Sequence, residues 1–382
     1  KFGMGQPVRR VEDQRFLTGA GRYTDDIDLA RQAHAYFLRS PHAHAKLAKL
    51  ECGPARAAPG VIGVFTGADL AAAGIGGLPC MAPLVNRDGS EMKLPPRSAI
   101  ATDRVRFVGD TLAMVVAETV AQARDAAELI EVDFEKLPAV GDIRSARAAG
   151  APRIWDLAPG NIVFDWTMGE EQATKAAFVG AHRIVSIDLV NNRVVPSSME
   201  PRMAIGSYDR GDGRLTLYAS SQGGNGLRKV LASYVFNVPE NQIRVITPDV
   251  GGGFGMKIFP YPEYVSVLFA ARALGRPVKW RGERADAFLT DTHGRDHLTH
   301  AELALDKDGK FLGLHVKTEA NLGAYLSHYG PFIPTMAGTA MLAGVYTTPA
   351  IFVEVKGVYT NTAPLDAYRG AGRPEANYVV ER

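Results

Sequence analysis

A run of glycines followed by a lysine is the part of this chain best suited to bind a ligand. Residues 249–259 read DVGGGFGMKIF, with four glycines in five positions and a lysine at 257. Glycine lets a backbone approach a ligand closely, and successive backbone N–H groups in such a turn attract anions. The spacing alone leaves two interpretations open, a phosphate cradle or a tight turn between a strand and a helix.

Neither standard phosphate-binding loop fits this stretch. A P-loop has Gly directly before its Lys and Ser or Thr after it, whereas Met256 and Ile258 flank Lys257. The dinucleotide fingerprint needs a Gly or Ala three residues beyond its second glycine, and Met256 stands there. The sequence therefore disfavours an oxidoreductase that binds NAD through this loop. Lys257 is either a phosphate contact or a solvated loop lysine.

The glycine stretch belongs to the second of three strand–turn–helix units. The units comprise strand 214–220, turn 221–226 and helix 227–236; strand 241–248, turn 251–257 and a helix from 262; and strand 351–361, turn 363–372 and helix 373–382. In chain order, we call the three turns the glutamine turn, the glycine loop and the arginine turn. Each unit should present free backbone N–H groups and the positive end of a helix, so three together suit a multiply charged anion.

The composition is that of a globular protein with two or three domains. The chain has 382 residues, of which 46% are apolar and 22% charged, and a formal net charge of +2. This balance does not favour nucleic-acid binding, and no uncharged apolar run of about 18 residues predicts a membrane span. Two cysteines, Cys52 and Cys80, cannot alone hold an iron–sulfur cluster, which needs four ligands. They fit a cytoplasmic protein.

The first third of the chain has an α+β pattern. Residues 105–140 predict β-α-β, and strand and helix patterns precede them in QAHAYFLRS and GADLAAAG. Residues 145–161 are rich in Ala, Pro and Gly and predict a linker. Farther along, LALDKDGKFLGLHV predicts a hairpin that turns at Asp308 and Gly309.

Four motifs in order carry a resemblance to a known family. QPVRRVEDQRFLTGAGRYTDDI, ASSQGG, GGGFGMK and AYRGAGRPEA resemble the molybdenum-binding large subunit of the xanthine dehydrogenase, aldehyde oxidase and carbon monoxide dehydrogenase family. The resemblance covers essentially the whole chain. It implies an α+β fold with an α/β-hammerhead domain at 1–144, a linker at 145–165 and an incomplete molybdopterin-binding domain at 166–382.

The resemblance also implies a cofactor and the residues that bind it. The cofactor is molybdopterin with molybdenum, in bacteria usually as the cytosine dinucleotide, and the protein gives the metal no direct ligand. Gln222 matches the glutamine whose amide hydrogen-bonds the metal's oxo group, and Phe254 and Gly255 match the pair beside the metal. Arg369 matches an arginine near the pterin and the metal. The other matching positions are Gly252, Gly253, Gly370 and Ala371.

Each of these side chains also has an ordinary structural interpretation. Gln222 fits a turn glutamine, Phe254 a packed core residue and Arg369 a structural salt bridge.

Three departures from the family pattern bear on the substrate. Gly370 stands where copper-containing carbon monoxide dehydrogenases carry Cys, so the resemblance disfavours a molybdenum–copper site. Ala371 and Ile258 stand where purine-oxidising members carry Phe and Glu, so these two pocket positions disfavour purines. The family's catalytic glutamate falls beyond residue 382, from which we expect a truncated, proteolysed or split subunit. Aldehydes, slightly favoured, and N-heteroaromatics remain as substrates.

The resemblance implies oxidative hydroxylation with water as the oxygen source. Electrons would pass to a [2Fe–2S] subunit and an FAD subunit, in a dimer of heterotrimers that also contains the rest of the molybdenum subunit. The alternative is a non-catalytic or split-subunit fragment that binds the cofactor and partners but needs a second chain for the glutamate.

Two further features have weaker implications. His293, His297 and His300 fit helical metal-ligand spacing, but Gly294 interrupts it and the following residues alternate as in a strand. A strand is therefore favoured over a metal site. Glu200 lies in an MEPR motif that recurs in the family near the site, and the sequence assigns it no role.

Overall fold

The computed structural model describes residues 3–382. They form both helices and strands, and the strands make three sheets. Within these residues, no helix is both long and apolar enough to span a membrane. The α-helices of this range are Asp13–Leu17 (α1), Gly53–Ala57 (α2), Gly67–Ala72 (α3), Val120–Ala127 (α4), Ile143–Arg147 (α5), Glu171–Val179 (α6), Gly224–Val230 (α7), Pro262–Leu274 (α8), Arg284–Thr290 (α9) and Arg373–Glu381 (α10). Its strands are Ala33–Arg39 (β1), Ala45–Glu51 (β2), Val61–Thr66 (β3), Arg104–Val105 (β4), Thr111–Ala117 (β5), Glu131–Lys136 (β6), Ile162–Gly169 (β7), Arg183–Asn191 (β8), Met203–Tyr208 (β9), Leu215–Ala219 (β10), Ile243–Ile246 (β11), Val278–Arg281 (β12), His297–Leu305 (β13), Phe311–Gly323 (β14) and Ala350–Tyr359 (β15).

The first core lies between a seven-stranded sheet and helix α8. The strand order is β11-β10-β9-β12-β1-β5-β3, so the sheet joins strands from the first third of the chain with later ones. Helix α8 is buried from residue 263 to 271, as expected for a helix that is apolar on nearly all sides. It packs so closely on β9 that a Cβ at Gly206 would lie 2.4 Å from the carbonyl oxygen of Val267.

The second core lies against a five-stranded sheet of order β7-β15-β14-β13-β8. The predicted hairpin is confirmed as β13 and β14, with Gly309 at φ +81° in the turn between them. The segment 145–161 folds against this core, because Ile154 and Asn161 are fully buried. The Asn161 amide donates to the carbonyl oxygens of Ala146 and Pro152, each at 3.0 Å. The domain limits at 144, 145–165 and 166 stay a prediction.

The predicted β-α-β elements of residues 105–140 are present as β5, α4 and β6, but they do not form one unit. Strand β5 lies inside the seven-stranded sheet, whereas β6 pairs with β2 in a third sheet of order β4-β2-β6. The prediction of a single unit is therefore wrong. The reason is burial, since every residue of β5 is buried and needs cover on both faces, while β6 alternates and suits a sheet with one open face.

A buried ion network connects the first core to the site region. Arg202, the residue directly before β9, is 1% exposed. It pairs with Glu263 at 2.7 Å and with Asp291 at 2.5 Å. Its guanidinium carbon lies 3.7 Å from the ring centroid of Tyr261. Arg39 of β1 reaches the same Glu263 carboxylate at 2.8 Å. The two arginines hold the pKa of Glu263 down at about 2 although burial opposes this.

We predict that Arg202→Met lowers the free energy of unfolding by about 3–5 kcal/mol, because it leaves two buried carboxylates without their main partner. Urea unfolding measures this loss. The matched control is Arg214→Met, since the Arg214–Asp212 pair is close to half exposed and should contribute less than about 1 kcal/mol. Equal losses in the two variants would contradict the account.

Candidate functional site

The glutamine turn, the glycine loop and the arginine turn meet, as predicted. The Gln222 Oε1 atom accepts a hydrogen bond from the Gly255 N–H at 2.8 Å, and the Gln222 N–H donates to the Lys257 carbonyl oxygen at 3.0 Å. The Arg369 N–H donates to the Phe254 carbonyl oxygen at 2.8 Å. The glycine loop is therefore bonded to a turn on each side.

The side chain of Gln222 is exposed, and its orientation is fixed. Because a backbone N–H can only donate, the atom that faces Gly255 must be the amide oxygen. The amide nitrogen then points away from this contact, and it donates no hydrogen bond within residues 3–382. A neutral donor remains available at the meeting point of the turns.

Two non-glycine residues at the site have left-handed backbone. Phe254 has φ +53° and Ala371 has φ +44°, conformations that an L-residue adopts only when its surroundings impose them. Between them lies a close backbone contact, because a Cβ at Gly255 would be 2.7 Å from the carbonyl oxygen of Ala367. Gly255 itself has φ +96°, so it is required both for its conformation and for the space it leaves.

The glycine loop presents three successive backbone N–H groups without an acceptor in the described part of the chain. They belong to Gly252, Gly253 and Phe254, and Gly253 is buried. Buried backbone donors are nearly always paired, so unpaired ones in a turn with left-handed residues are typical of an anion-binding concavity. These donors lie beside Gln222, whose amide oxygen would be 2.4 Å from a Cβ at Gly253.

Arg369 extends from the arginine turn without an ionic partner. Its guanidinium carbon lies 6.0 Å from the ring centroid of Phe254, and no carboxylate pairs with it among residues 3–382. The predicted alternative of a structural salt bridge is therefore not observed in this range. Gly370 has φ +96°, and the Ala371 N–H donates to the Tyr368 carbonyl oxygen at 2.8 Å, which closes the turn around the arginine.

Lys257 is neither a phosphate contact nor a solvated lysine, and both predictions for it are wrong. The side chain is fully buried, and Nζ donates to a Glu200 carboxylate oxygen at 2.9 Å and to the Glu200 carbonyl oxygen at 2.8 Å. Burial lowers the pKa of the Lys257 amino group, and the Glu200 carboxylate partly offsets this. Neither alternative includes a buried ion pair, because local sequence does not show burial.

Two of the three helices carry a buried acid in the first turn, and none of the three has a side-chain cap hydrogen bond at its N-terminus. In the first turn of α8, Glu263 is 1% exposed and pairs with Arg202. In the first turn of α10, Glu375 is 6% exposed and pairs with Arg295 at 3.0 Å. The charge of each of these acids is thus paired with that of an arginine.

A buried aspartate shapes the arginine turn. Asp366 is 2% exposed and accepts backbone hydrogen bonds from Tyr329 at 2.8 Å and from Ala367 at 2.7 Å. Burial raises the pKa of Asp366 from its ordinary value of 3.8 to about 6. Tyr329 is held against this turn with 38% of its surface exposed.

Sequence reasoning assigns no role to Glu200 and misses Asp366, although both lie close to recognised motifs. Glu200 belongs to the MEPR motif, and Asp366 stands three residues before Arg369. An acid close to a cofactor motif in an apolar context indicates a structural anchor. The two predicted pocket residues, Ile258 and Ala371, are both partly buried, and Ile258 packs on the first core. Their role in a pocket stays a prediction.

Two of the three histidines, His297 and His300, lie on strand β13, as the alternation predicted. His297 is buried and His300 is partly exposed; at an odd separation in a strand the two side chains point to opposite faces. His293 precedes the strand and lies against Arg193 at 3.1 Å. These positions do not converge on one ligand.

The sheets and the convergent turns are suited to hold a polyanionic ligand, and comparison with known proteins agrees. Residues 154–382 match the family profile of the molybdopterin cofactor-binding domain. Residues 18–138 match the profile of the aldehyde oxidase and xanthine dehydrogenase a/b hammerhead domain. The chain therefore belongs to the aldehyde oxidase and xanthine dehydrogenase family of molybdopterin-binding proteins, which confirms the resemblance and the fold class.

Its relatives include both carbon monoxide and N-heteroaromatic enzymes. The carbon monoxide dehydrogenase large chain of Afipia carboxidovorans is 36% identical over 100% of this chain and 47% of the relative. The structure of carbon monoxide dehydrogenase from Oligotropha carboxidovorans has a TM-score of 0.90 and 34% identity, covering 100% of this chain and 48% of that one. Quinoline 2-oxidoreductase from Pseudomonas putida 86 has a TM-score of 0.87 and 35% identity, covering 98% and 48%. The chain spans about half the length of these relatives.

We predict that Gly255→Ala lowers the unfolding free energy by about 1–3 kcal/mol and reduces the molybdenum content of the assembled complex, because the left-handed backbone and the Ala367 carbonyl both reject a Cβ. Urea unfolding and metal analysis test this. Gly141→Ala is the control, since a Cβ there meets nothing within 4 Å and should change stability by less than about 0.5 kcal/mol. Wild-type behaviour of Gly255→Ala would contradict the close contact.

Asp366 predicts a pH-dependent stability of known sign. A folded-state pKa of about 6 against an ordinary 3.8 means that the folded chain binds this proton more tightly than the unfolded chain. Its stabilising contribution is thus complete below about pH 4 and is lost as the pH rises through about 6. The stability of wild type relative to Asp366→Asn should fall over this window, by up to about 3 kcal/mol. Urea midpoints at several pH values measure it, and a flat or rising difference would contradict the assignment.

Proposed function

We propose that this chain is the cofactor-binding half of the large subunit of a molybdenum hydroxylase. The complete subunit would oxidatively hydroxylate an aldehyde or N-heteroaromatic carbon, with water as the oxygen source. The observation that carries the proposal is the placement of the free Gln222 amide beside three unpaired backbone N–H groups where the turns meet. The family membership of residues 154–382 supports the same conclusion.

The residues at the meeting point fit molybdopterin, as the cytosine dinucleotide or otherwise. The unpaired N–H groups of Gly252, Gly253 and Phe254 suit the negatively charged phosphates or dithiolene of such a group. Arg369 offers a planar fork of donors that suits pterin or phosphate acceptors. Each of these donors lacks a partner within residues 3–382, so a ligand would satisfy them.

In the proposed mechanism the protein binds and orients, while the bound cofactor supplies the two-electron redox chemistry. The Gln222 amide nitrogen would be a neutral donor to such a group, since its amide oxygen is already bonded to the Gly255 N–H. Phe254 is 41% exposed at the surface of the loop, and its ring would shield one side of the bound group from water. The base that activates water would come from a glutamate beyond residue 382, in the same or a second chain.

The arginine turn supports a site without copper. Carbon monoxide dehydrogenases would need a cysteine at position 370, but Gly370 has φ +96° and a Cβ there would lie 2.6 Å from Pro374. A side chain at this position therefore requires a different turn. Ile258 and Ala371 would leave an apolar pocket without the groups that bind purines. The likeness to a quinoline oxidoreductase supports N-heteroaromatic substrates beside aldehydes.

The proposal includes partner subunits and a location. Electrons would leave through a [2Fe–2S] subunit and an FAD subunit, in a dimer of heterotrimers, because Cys52 and Cys80 are too few to ligate a cluster. The two free cysteines support a cytoplasmic location. Since the chain spans about half of its relatives, a second candidate is a fragment that binds cofactor and partners and acquires activity only with the remaining half.

We predict that the purified, fully assembled complex contains molybdenum and, after acid hydrolysis, cytidine monophosphate, in about one-to-one ratio to this chain. Metal analysis and nucleotide chromatography measure both. Absence of both from the assembled complex would refute the proposal, and stoichiometric copper would refute the copper-free site. A screen with an artificial electron acceptor then separates the substrate classes: turnover of aldehydes or of N-heteroaromatics selects one, and turnover of neither supports the fragment.

A further inference from the structure

One carboxylate oxygen holds both ends of the glycine loop. The Glu200 Oε2 atom accepts a hydrogen bond from the Gly251 N–H at 2.8 Å, at the start of the loop, and from Lys257 Nζ at 2.9 Å, at its end. The Glu200 main chain adds two contacts, since its N–H donates to the Gly251 carbonyl oxygen at 3.0 Å and its carbonyl oxygen accepts from Lys257 Nζ at 2.8 Å. Glu200 alone therefore connects the two ends of the glycine loop.

The end of the loop is also where Gln222 is held. The Lys257 carbonyl oxygen accepts from the Gln222 N–H at 3.0 Å, and the Gln222 side chain returns to the loop at the Gly255 N–H at 2.8 Å. Between the two points fixed by Glu200 lie the unpaired N–H groups of residues 252–254. A displacement of Lys257 would therefore move both the amide of Gln222 and the loop donors.

Glu200 is itself fixed from the far side. The Ser198 hydroxyl donates to the Glu200 carbonyl oxygen at 2.7 Å, and the Arg284 guanidinium donates to the carbonyl oxygens of Ser198 at 2.8 Å and Met199 at 3.0 Å. A Cβ at Gly251 would lie 2.5 Å from the Glu200 Cβ, so the loop rests directly on this residue. Glu200 and Gly251 therefore have little room to move relative to each other.

We infer that Glu200 and Lys257 are positioning residues, which fix the glycine loop and the Gln222 amide in the geometry that the cofactor requires. This inference rests on the proposed function. The Glu200 and Lys257 side chains are 8% and 0% exposed, so both are shielded from solvent. A buried pair contributes little net stability compared with apolar side chains of similar volume, whereas its geometry is narrowly defined. The positioning of the glycine loop and the Gln222 amide therefore explains this pair better than a contribution to the stability of the fold does.

The test uses the assembled complex and the double variant Glu200→Gln/Lys257→Met. Lys257→Met alone leaves a buried carboxylate without its charged partner, but the double variant removes both charges at similar volume and should fold. Unfolding midpoint, molybdenum content, kcat per bound molybdenum, KM and the Mo(V) electron paramagnetic resonance signal are measured. Glu200→Gln alone, which keeps the main-chain contact to Lys257, provides a milder variant if the double variant does not assemble.

We expect the double variant to have a near wild-type unfolding midpoint and an approximately 10- to 100-fold lower kcat per molybdenum, with an altered Mo(V) signal, because small displacements at a reacting centre have effects of this size. Gln222→Ala should lower kcat per bound molybdenum about 100-fold. The triple variant combines Glu200→Gln, Lys257→Met and Gln222→Ala. If the pair acts through Gln222, the kcat of this variant per bound molybdenum should be no more than about threefold below that of Gln222→Ala. The control Lys46→Met/Glu135→Gln removes an exposed pair and should change none of these values.

Two outcomes would overturn the inference. One is wild-type kcat and Mo(V) signal in the folded double variant, which indicates a purely structural pair. The other is multiplication of the two losses in the triple variant, which indicates independent action. Loss of cofactor from a folded double variant supports the inference, whereas absence of molybdenum from the wild-type complex would refute the proposed function itself.

Discussion

The glycine loop lies on a layer of buried charge, and the geometry of the site depends on this contact. Lys257 and Glu200 close the loop, and beside them Arg202 pairs with Glu263 and Asp291 in the core under helix α8. Buried ions are stable only with partners in good geometry, so the network permits few arrangements. The contacts of Glu200 with Gly251 and Lys257 thus restrict the loop at both of its ends.

This constraint accounts for the strained backbone at the surface of the site. Phe254 and Ala371 keep left-handed conformations that cost of the order of 1–3 kcal/mol each, and the surrounding contacts must supply that energy. The hydrogen bond from Arg369 to Phe254 and the close approach of Gly255 to Ala367 connect the two strained turns. Donors held in this way need no reorganisation when a charged cofactor binds, which is the advantage of a preorganised site.

Local pattern was sufficient to predict the three strand–turn–helix units, because hydrophobic periodicity and turn residues are properties of short segments. It could not show that Lys257 is buried, since its partner Glu200 lies 57 residues away. The same limit applies to Glu263. In the sequence it is an ordinary acid in the first turn of a helix, and only the fold brings Arg202 to it. The pairing of β5 and β6 in different sheets likewise depends on contacts between distant strands.

The central claim is that Gln222 and the glycine loop face a molybdenum centre. An experimental structure of the assembled complex, with anomalous diffraction recorded on both sides of the molybdenum absorption edge, tests it most directly. We expect one anomalous peak per chain, with a ligand of the metal within roughly 3 Å of the Gln222 amide nitrogen. A molybdenum peak elsewhere in the complex, with Gln222 facing only protein or solvent, would contradict it.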